Sequence, residues 1–511
     1  MSEKVSYKII EPLLLALMVI IGIFVGLKLS DKKAGFSISE QSESPESLEL
    51  GAIEEIIKFI DAKYVDDLDQ EEILVDAIQS IFSSLDPHSN YISPDRLQEI
   101  NEEMEGSYVG VGIRTLYHND TIYISEVLNN TPSQKAGLQR GDKLLYIGAD
   151  TLSGTGKEYA DLRAYFDREE GEEVDLKILR DGQEEIIAIT PEAIKVSSVD
   201  VAYEIAENTA YIKLKRFSEN VYTDFMTSLE SIAEKNKKMD LILDLRENPG
   251  GYLPQTVKIL NQIFKEKGRV LVYTVGRDQK KIEYKTNGKR FYNIDKVVVL
   301  INERSASASE IIAGALQDWD RGLIIGETSY GKGLVQEQYP LKNGGAIRLT
   351  VSRYYTPSGR LIQRPFKNDM QEADADSLRF VTHVLKRKMT GAGGISPDIN
   401  VAELYENTYT ETCQLALEQL DIYSIKNEDE GVSKQKLITG LYHFLSESQK
   451  LDKSLLCENL LQEEYQNRKL YFEKGNEEWF KQINQDDPVI QTALQKLKNS
   501  DLFAELTEKN N

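Results

Sequence analysis

The sequence predicts a multidomain α/β protein, and three observations carry that expectation. Hydrophobic strands alternate with helical patterns between Val201 and Val401, as they do where helices layer onto a mostly parallel sheet. Between Gly106 and Ile194 the pattern changes to short alternating strands with Gly-rich turns, which marks a separate β-rich module. A chain of 511 residues, 41% hydrophobic and 28% charged, is long enough for several globular cores.

Lys4 and Lys8 precede an uninterrupted apolar run from Pro12 to Leu27. Its length falls between the roughly 7–15 residues of a secretory signal core and the roughly 20 of a spanning helix. No small-x-small cleavage site follows in Leu27–Lys33, so residues 1–33 read as an uncleaved signal anchor that exports what comes after it. Lysines on both sides leave the positive-inside rule silent. Residues 34–49 are Ser- and Glu-rich and read as a flexible tether.

Residues 50–105 form a predicted helical cap. Ile53, Ile56, Ile57 and Ile60, then Ile73, Leu74, Ala77, Ile78 and Ile81, recur at helical spacing until Leu85-Asp86-Pro87-His88-Ser89 breaks the pattern. The β-rich module, 106–195, contains the expected strands Thr121–Val127 and Val174–Leu179 and a helix near Tyr159–Phe166. The core, 196–401, contains expected strands at Leu241–Leu245, Val270–Val275, Val297–Ile301 and Leu323–Gly326. Its expected helices are Leu253–Phe264 and Ser307–Trp319. Residues 402–511 are helical in pattern and charged, and are expected to be a docking region for an adaptor or for a second copy of the chain.

Charge and rare residues exclude several classes. A net charge of -23 repels phosphate backbones, so no nucleic-acid partner is expected. Two cysteines, Cys413 and Cys457, rule out a disulfide scaffold and a Cys-rich zinc site, while one disulfide and two free thiols both remain open. His88, His118, His383 and His443 are scattered without metal-ligand spacing. Neither a metal nor a cofactor is expected.

The chemistry-bearing residues sit in three segments. Ser305-Ala306-Ser307-Ala308-Ser309-Glu310 follows an apolar strand and opens a helix, where a hydroxyl can project and helix amides can face a developing anion. The same Ser307-x-x-Glu310 also reads as a capping box. A serine nucleophile needs a base, and with no histidine in a motif-like context a buried lysine is the alternative. Lys332 stands in Gly326-Glu327-Thr328-Ser329-Tyr330-Gly331-Lys332-Gly333. The spacing imitates a phosphate loop, but Gly333 offers no hydroxyl for magnesium, and Leu334–Leu341 reads as strand where helix is required. The third segment is Asp244-Leu245-Arg246-Glu247-Asn248-Pro249-Gly250-Gly251, whose glycine turn at a strand end can expose amides; the plain alternative is a loop with a structural Asp244–Arg246 pair. Residue types alone do not choose among Ser305, Ser307 and Ser309.

These strings, with LDPHSNYIS (85–93), TPSQKAGLQRGD (131–142), YYTPSGRLIQ (354–363) and GGISPDI (393–399), resemble the motifs of the tail-specific, C-terminal processing serine peptidases over about residues 50–400. The resemblance implies a PDZ-like module at 106–195 and an α/β protease core of the crotonase/ClpP-like type. It implies Ser307 as nucleophile, Lys332 as base and Gln336 as the residue orienting the lysine. Ala308 and one of Gly250 and Gly251 would supply oxyanion amides, and Tyr108, Val109, Gly110, Val111, Gly112 and Ile113 the loop that binds a peptide's terminal carboxylate. The partners implied are protein or peptide substrates with free C-termini. With the anchor, the resemblance points to a single-pass protein of the bacterial inner membrane whose catalytic part faces the periplasm or cell envelope. Two other classes compete: a PDZ-bearing binding scaffold on an inactive protease-like core, and a crotonase-like enzyme acting on acyl thioesters. Arg364–Thr390 interrupts the resemblance, and 402–511 lie outside it.

Overall fold

The structure, a computed structural model, describes residues 51–66, 68–155, 162–166, 171–233, 238–365, 380–401, 411–426, 434–446, 457–504 and 506. The apolar run 12–27 and the tether lie outside these residues. Among the described residues no helix is long and apolar enough to cross a membrane. The chain divides into a unit ending at Ala77 and a unit from Ile78 onward. In the first, α1 (Gly51–Lys63) presents Ile53, Ile56 and Phe59 at exposed positions, and α2 (Gln70–Ser83) begins.

In the second unit, β1 (Asn90–Ile92) precedes α3 (Pro94–Glu105), which starts on a proline and stops at Gly106. Gly106 takes φ 73 and returns its N–H to Glu102. The β-rich module follows. Strands β2 (Ser107–Gly110), β3 (Ile113–His118), β4 (Thr121–Val127), β5 (Lys143–Ile147), β6 (Val174–Arg180), β7 (Gln183–Ile189) and β8 (Glu192–Lys195) build it. The main antiparallel sheet runs β3-β4-β5-β6-β7, with β3 on its edge, while β2 pairs with β8 where the chain enters and leaves. Alternation turns Ile124, Leu144, Ile147, Leu176 and Ile178 into one buried cluster. Of the helix expected at Tyr159–Phe166, Arg163–Phe166 is described and helical.

The catalytic-core region comprises β9 (Val199–Ala206), β10 (Thr209–Leu214), α4 (Val221–Ala233), β11 (Met239–Asp244), α5 (Leu253–Ile263), β12 (Lys267–Gly276), β13 (Lys281–Asn287), β14 (Ile294–Ile301), α6 (Ala308–Asp318), β15 (Leu323–Gly326), β16 (Leu334–Pro340), β17 (Ala346–Tyr355) and β18 (Ile399–Asn400). Its main sheet has the order β9-β10-β11-β14-β15-β18, and every pair after β9/β10 is parallel. Such strands are covered on both faces, which is why Leu241–Leu243 and Val297–Ile301 are apolar without alternation. Phe225, Leu229, Ile259 and Ile312, from α4, α5 and α6, fill one face.

One expectation needs correction. The strand expected at Val270–Val275 exists within β12, but it joins a second, antiparallel sheet of order β1-β17-β12-β13, with β16 beside β17. An apolar run is the same whichever sheet receives it, and here the tight connection from Gly276 to Lys281 pairs β12 with β13 first.

The far face of the main sheet is covered from the C-terminal region. There α7 (Glu411–Glu418), α8 (Leu420–Lys426), α9 (Lys434–Ser446), α10 (Glu458–Lys474), α11 (Asn476–Asp486) and α12 (Pro488–Leu497) are described. Phe480, Val489, Ile490 and Leu497 pack on Tyr211, Ile242, Val298, Leu300 and Ile325. Cys413 and Cys457 are joined in a disulfide beside a small cluster of Leu420, Leu437, Leu441 and Leu461. Ile422 and Ile425 of α8 meet Tyr123 of the β-rich module, and the Tyr471 hydroxyl donates to Glu126 at 2.6 Å. The described helices of the C-terminal region thus pack on both the core and the module.

Candidate active site

The turn after β14 is held by two serines and offers the third. Ser305 Oγ donates to the Leu245 carbonyl at 2.8 Å and accepts the Asn302 N–H at 2.9 Å. Ser309 Oγ donates to the Asn248 carbonyl at 3.0 Å. Both side chains are fully buried, so their hydroxyls hold the turn together. Ser307 lies between them, partly exposed, with φ 53 and ψ -108 at the N-terminus of α6. A non-glycine residue in that region carries strain of about 1–3 kcal/mol, which the surrounding hydrogen bonds sustain.

The facing turn supplies amides. Asn248 Nδ2 donates to the Leu214 carbonyl at 2.8 Å, and Asn248 Oδ1 accepts the Gly250 N–H at 2.9 Å. Pairing with Phe217 uses the Gly250 carbonyl and the Tyr252 N–H, which turns the Gly251 N–H to the opposite side. Among the described residues neither the Gly251 N–H nor the Ala308 N–H meets an acceptor. Gly250 has φ 97, and a Cβ there would stand 2.8 Å from Ala308 N and 2.6 Å from the Ala306 carbonyl oxygen. Glycine keeps the space beside the Ala308 amide open.

Asp244 and Arg246 form the structural pair. Arg246 Nη2 reaches Asp244 at 2.6 Å, Arg246 Nη1 reaches Asp487 at 2.7 Å, and the Tyr211 hydroxyl donates to Asp244 at 2.8 Å. Burial disfavours the Asp244 anion, but Arg246 and Lys213 outweigh it and hold the carboxyl below the usual range.

Lys332 lies in the loop between β15 and β16, half-buried. Its Nζ donates to Gln336 Oε1 at 2.8 Å, and Gln336 Nε2 donates in turn to the His88 carbonyl. Asp86 fixes that carbonyl by accepting the His88 N–H at 2.9 Å, the Ser89 N–H at 2.9 Å and the Ser89 hydroxyl at 2.7 Å. Burial first, and then the nearby Arg348 guanidinium, push the Lys332 amine below the ordinary lysine value, against Asp86 and Glu310. No hydrogen bond joins Lys332 Nζ to Ser307. His88 and Asp86 escaped the sequence reading as parts of the site. Their contact runs through a backbone carbonyl, which residue types cannot signal.

Tyr108, Val109 and Gly110 belong to β2, Val111 and Gly112 form the loop proper, and Ile113 opens β3. All six line a cavity of about 570 Å³ that is also walled by Leu162 and Phe166. Gly112 has φ 82, and a Cβ there would stand 2.3 Å from that of Thr131. Neither Ser307 nor Lys332 lines this cavity.

Comparison with known proteins agrees with this division. The family description "Peptidase family S41" fits residues 208–371 and "PDZ domain" fits residues 109–190. A carboxy-terminal-processing protease of Bartonella bacilliformis is 35% identical over 335 residues, covering 64% of this chain and 75% of its own. A carboxy-terminal processing protease of Bacillus subtilis is 29% identical over 353 residues, covering 67% of this chain and 72% of its own. The solved photosystem II D1 C-terminal processing protease aligns with 70% of this chain and 94% of its own at 23% identity, with a TM-score of 0.37.

Proposed function

Since the chain belongs to the carboxy-terminal-processing serine peptidases of family S41, with a PDZ domain before its protease core, we propose that it cleaves through a Ser307–Lys332 dyad. Ser307 Oγ attacks the scissile carbonyl while neutral Lys332 accepts its proton and later delivers it to the leaving amine. Gln336, held by the His88 carbonyl, orients the lysine. The Ala308 and Gly251 amides receive the oxyanion, since the Gly250 N–H is already engaged by Asn248. Ser307 and Lys332 tighten together when substrate binds, as catalytic hydrogen bonds commonly do.

The observation that carries this reading is a strained, partly exposed serine beside two unengaged amides and a half-buried lysine lowered below its ordinary value. Ser307→Ala and Lys332→Ala should each abolish cleavage of an unstructured protein while leaving the fold intact. Full activity in either variant would refute the dyad.

The PDZ cavity is proposed to hold the substrate's terminal carboxylate at Val111–Ile113, with the peptide added along β3. Substrates are proposed to be proteins of the cell envelope, reached by a chain anchored through residues 1–33. The Cys413–Cys457 disulfide supports an oxidising compartment. Protease protection of the catalytic part in intact cells with a permeabilised outer membrane would overturn that location.

A further inference from the structure

Behind the Ser307–Lys332 pair lies a carboxylate to which the proposed chemistry gives no part. Glu310 is fully buried, and its two oxygens accept four hydrogen bonds. Oε2 takes the Ser307 N–H at 2.8 Å and the Lys332 N–H at 2.9 Å. Oε1 takes the Gly331 N–H at 2.8 Å and the Ser329 hydroxyl at 2.6 Å. The Ser329 oxygen itself accepts the Ile395 N–H at 2.7 Å. On the other side of the same two residues, the buried Tyr354 hydroxyl meets the Ser307 carbonyl at 3.1 Å and the Lys332 carbonyl. One carboxylate gathers the amides of nucleophile and base, and one phenol gathers their carbonyls.

Three of the four donors on Glu310 are backbone amides, which cannot reverse their polarity. A proton on Oε2 would point at a fixed amide, and one on Oε1 could be accommodated only by turning the Ser329 hydroxyl. Burial works the other way, pushing the Glu310 carboxyl up to about 7, while the four donors favour the anion. The titratable groups facing it are Lys332 from its loop and Tyr354 from β17, and the Glu310 charge favours the protonated form of both.

We propose that Glu310 and Tyr354 are positioning residues that fix the separation of Ser307 and Lys332, and that the site is assembled only while Glu310 is ionised. The proposal rests on the dyad reading above. The capping box is thus the local half of a device whose other half arrives from residues 329–332 and from β17.

The test uses the full chain, an unstructured peptide with a free C-terminus, and steady-state cleavage from pH 5.5 to 9. Glu310→Gln replaces an acceptor oxygen with a donor group that confronts fixed N–H groups. Its kcat should fall about 100-fold with KM unchanged within about twofold, since the cleft and the PDZ cavity are untouched. The additional acid limb expected of wild type below about pH 7, where Glu310 protonates on top of the Lys332 limb, should also disappear from its profile. Tyr354→Phe keeps the ring and should lower kcat about tenfold while retaining that acid limb. Wild-type kcat in Glu310→Gln would overturn the proposal, and so would a lowered kcat with the wild-type pH profile. If Glu310→Gln fails to fold, Tyr354→Phe decides, and wild-type kcat there overturns the clamp. The dyad fails separately, through activity surviving in Ser307→Ala or Lys332→Ala.

Discussion

Ending the chain at Gly475 would strip α11 and α12 from the main sheet. Phe480, Val489, Ile490 and Leu497 are each at most 6% exposed, and they cover Tyr211, Ile242, Val298, Leu300 and Ile325. At about 1.5–3 kcal/mol for each large apolar side chain, those four contribute about 6–12 kcal/mol. A globular domain has about 5–15 kcal/mol in total, so the loss approaches the whole stability of the core. Truncation also removes Asp487 from the buried Arg246, leaving that guanidinium with Asp244, which also accepts the Tyr211 hydroxyl. The truncated chain should be recovered insoluble, or soluble but cut rapidly by a general protease and inactive on peptide. A milder version, Phe480→Ala, should cost about 3–5 kcal/mol and shift the urea midpoint downward while leaving KM near wild type. A chain ending at Gly475 that unfolds at the wild-type urea midpoint and cleaves at the wild-type rate would refute the reasoning.

Three further outcomes are expected. Gly250→Ala places a methyl 2.8 Å from Ala308 N at a backbone angle of φ 97, so kcat should fall about 100-fold or more through loss of oxyanion stabilisation; a wild-type kcat would refute Ala308 as a donor. In single-turnover cleavage, activity should keep rising with pH until Lys332 is neutral, with a midpoint below the roughly 10.4 of free lysine. Arg348→Gln should move that limb upward by removing a repelling charge, and an unmoved limb would refute the assignment. Amidating the substrate's C-terminus removes the charge that the Val111–Ile113 amides would bind and should lower kcat/KM markedly; equal rates for acid and amide below saturation would leave the PDZ domain a spacer.

How far the sequence reaches differs from one element to the next. Leu323–Gly326 and Thr121–Val127 occupy the positions expected of them, because apolar runs and alternation are local signals. The choice among Ser305, Ser307 and Ser309 was not local. It depends on the Leu245 and Asn248 carbonyls, which arrive from a turn about sixty residues earlier and engage two of the three hydroxyls. Nothing in the sequence singles out Asn248, yet its side chain is what commits the Gly250 N–H. Glu310 read correctly as a helix cap, but its amide partners at Gly331 and Lys332 lie beyond any window that periodicity can see. The helices after residue 402 were legible as helices. What they cover was not, because an amphipathic face does not name its partner.

The open edge of β3 has a consequence for solubility. An unpaired strand edge is a template for any extended chain, including other copies of the same protein, and aggregation is its usual hazard. Here the edge strand is only six residues long, and His118 at its end packs on Phe444. A register shift between Arg114 and Thr115 kinks it, and Arg114 is occupied by Glu126 at 2.9 Å. Bulges and charges of this kind discourage long flat pairing. Under the proposed peptide binding, a visiting strand would pair best near the Gly112 turn. On the proposed mode of binding, the same irregularity that protects the edge from indiscriminate association would make a terminus its preferred guest.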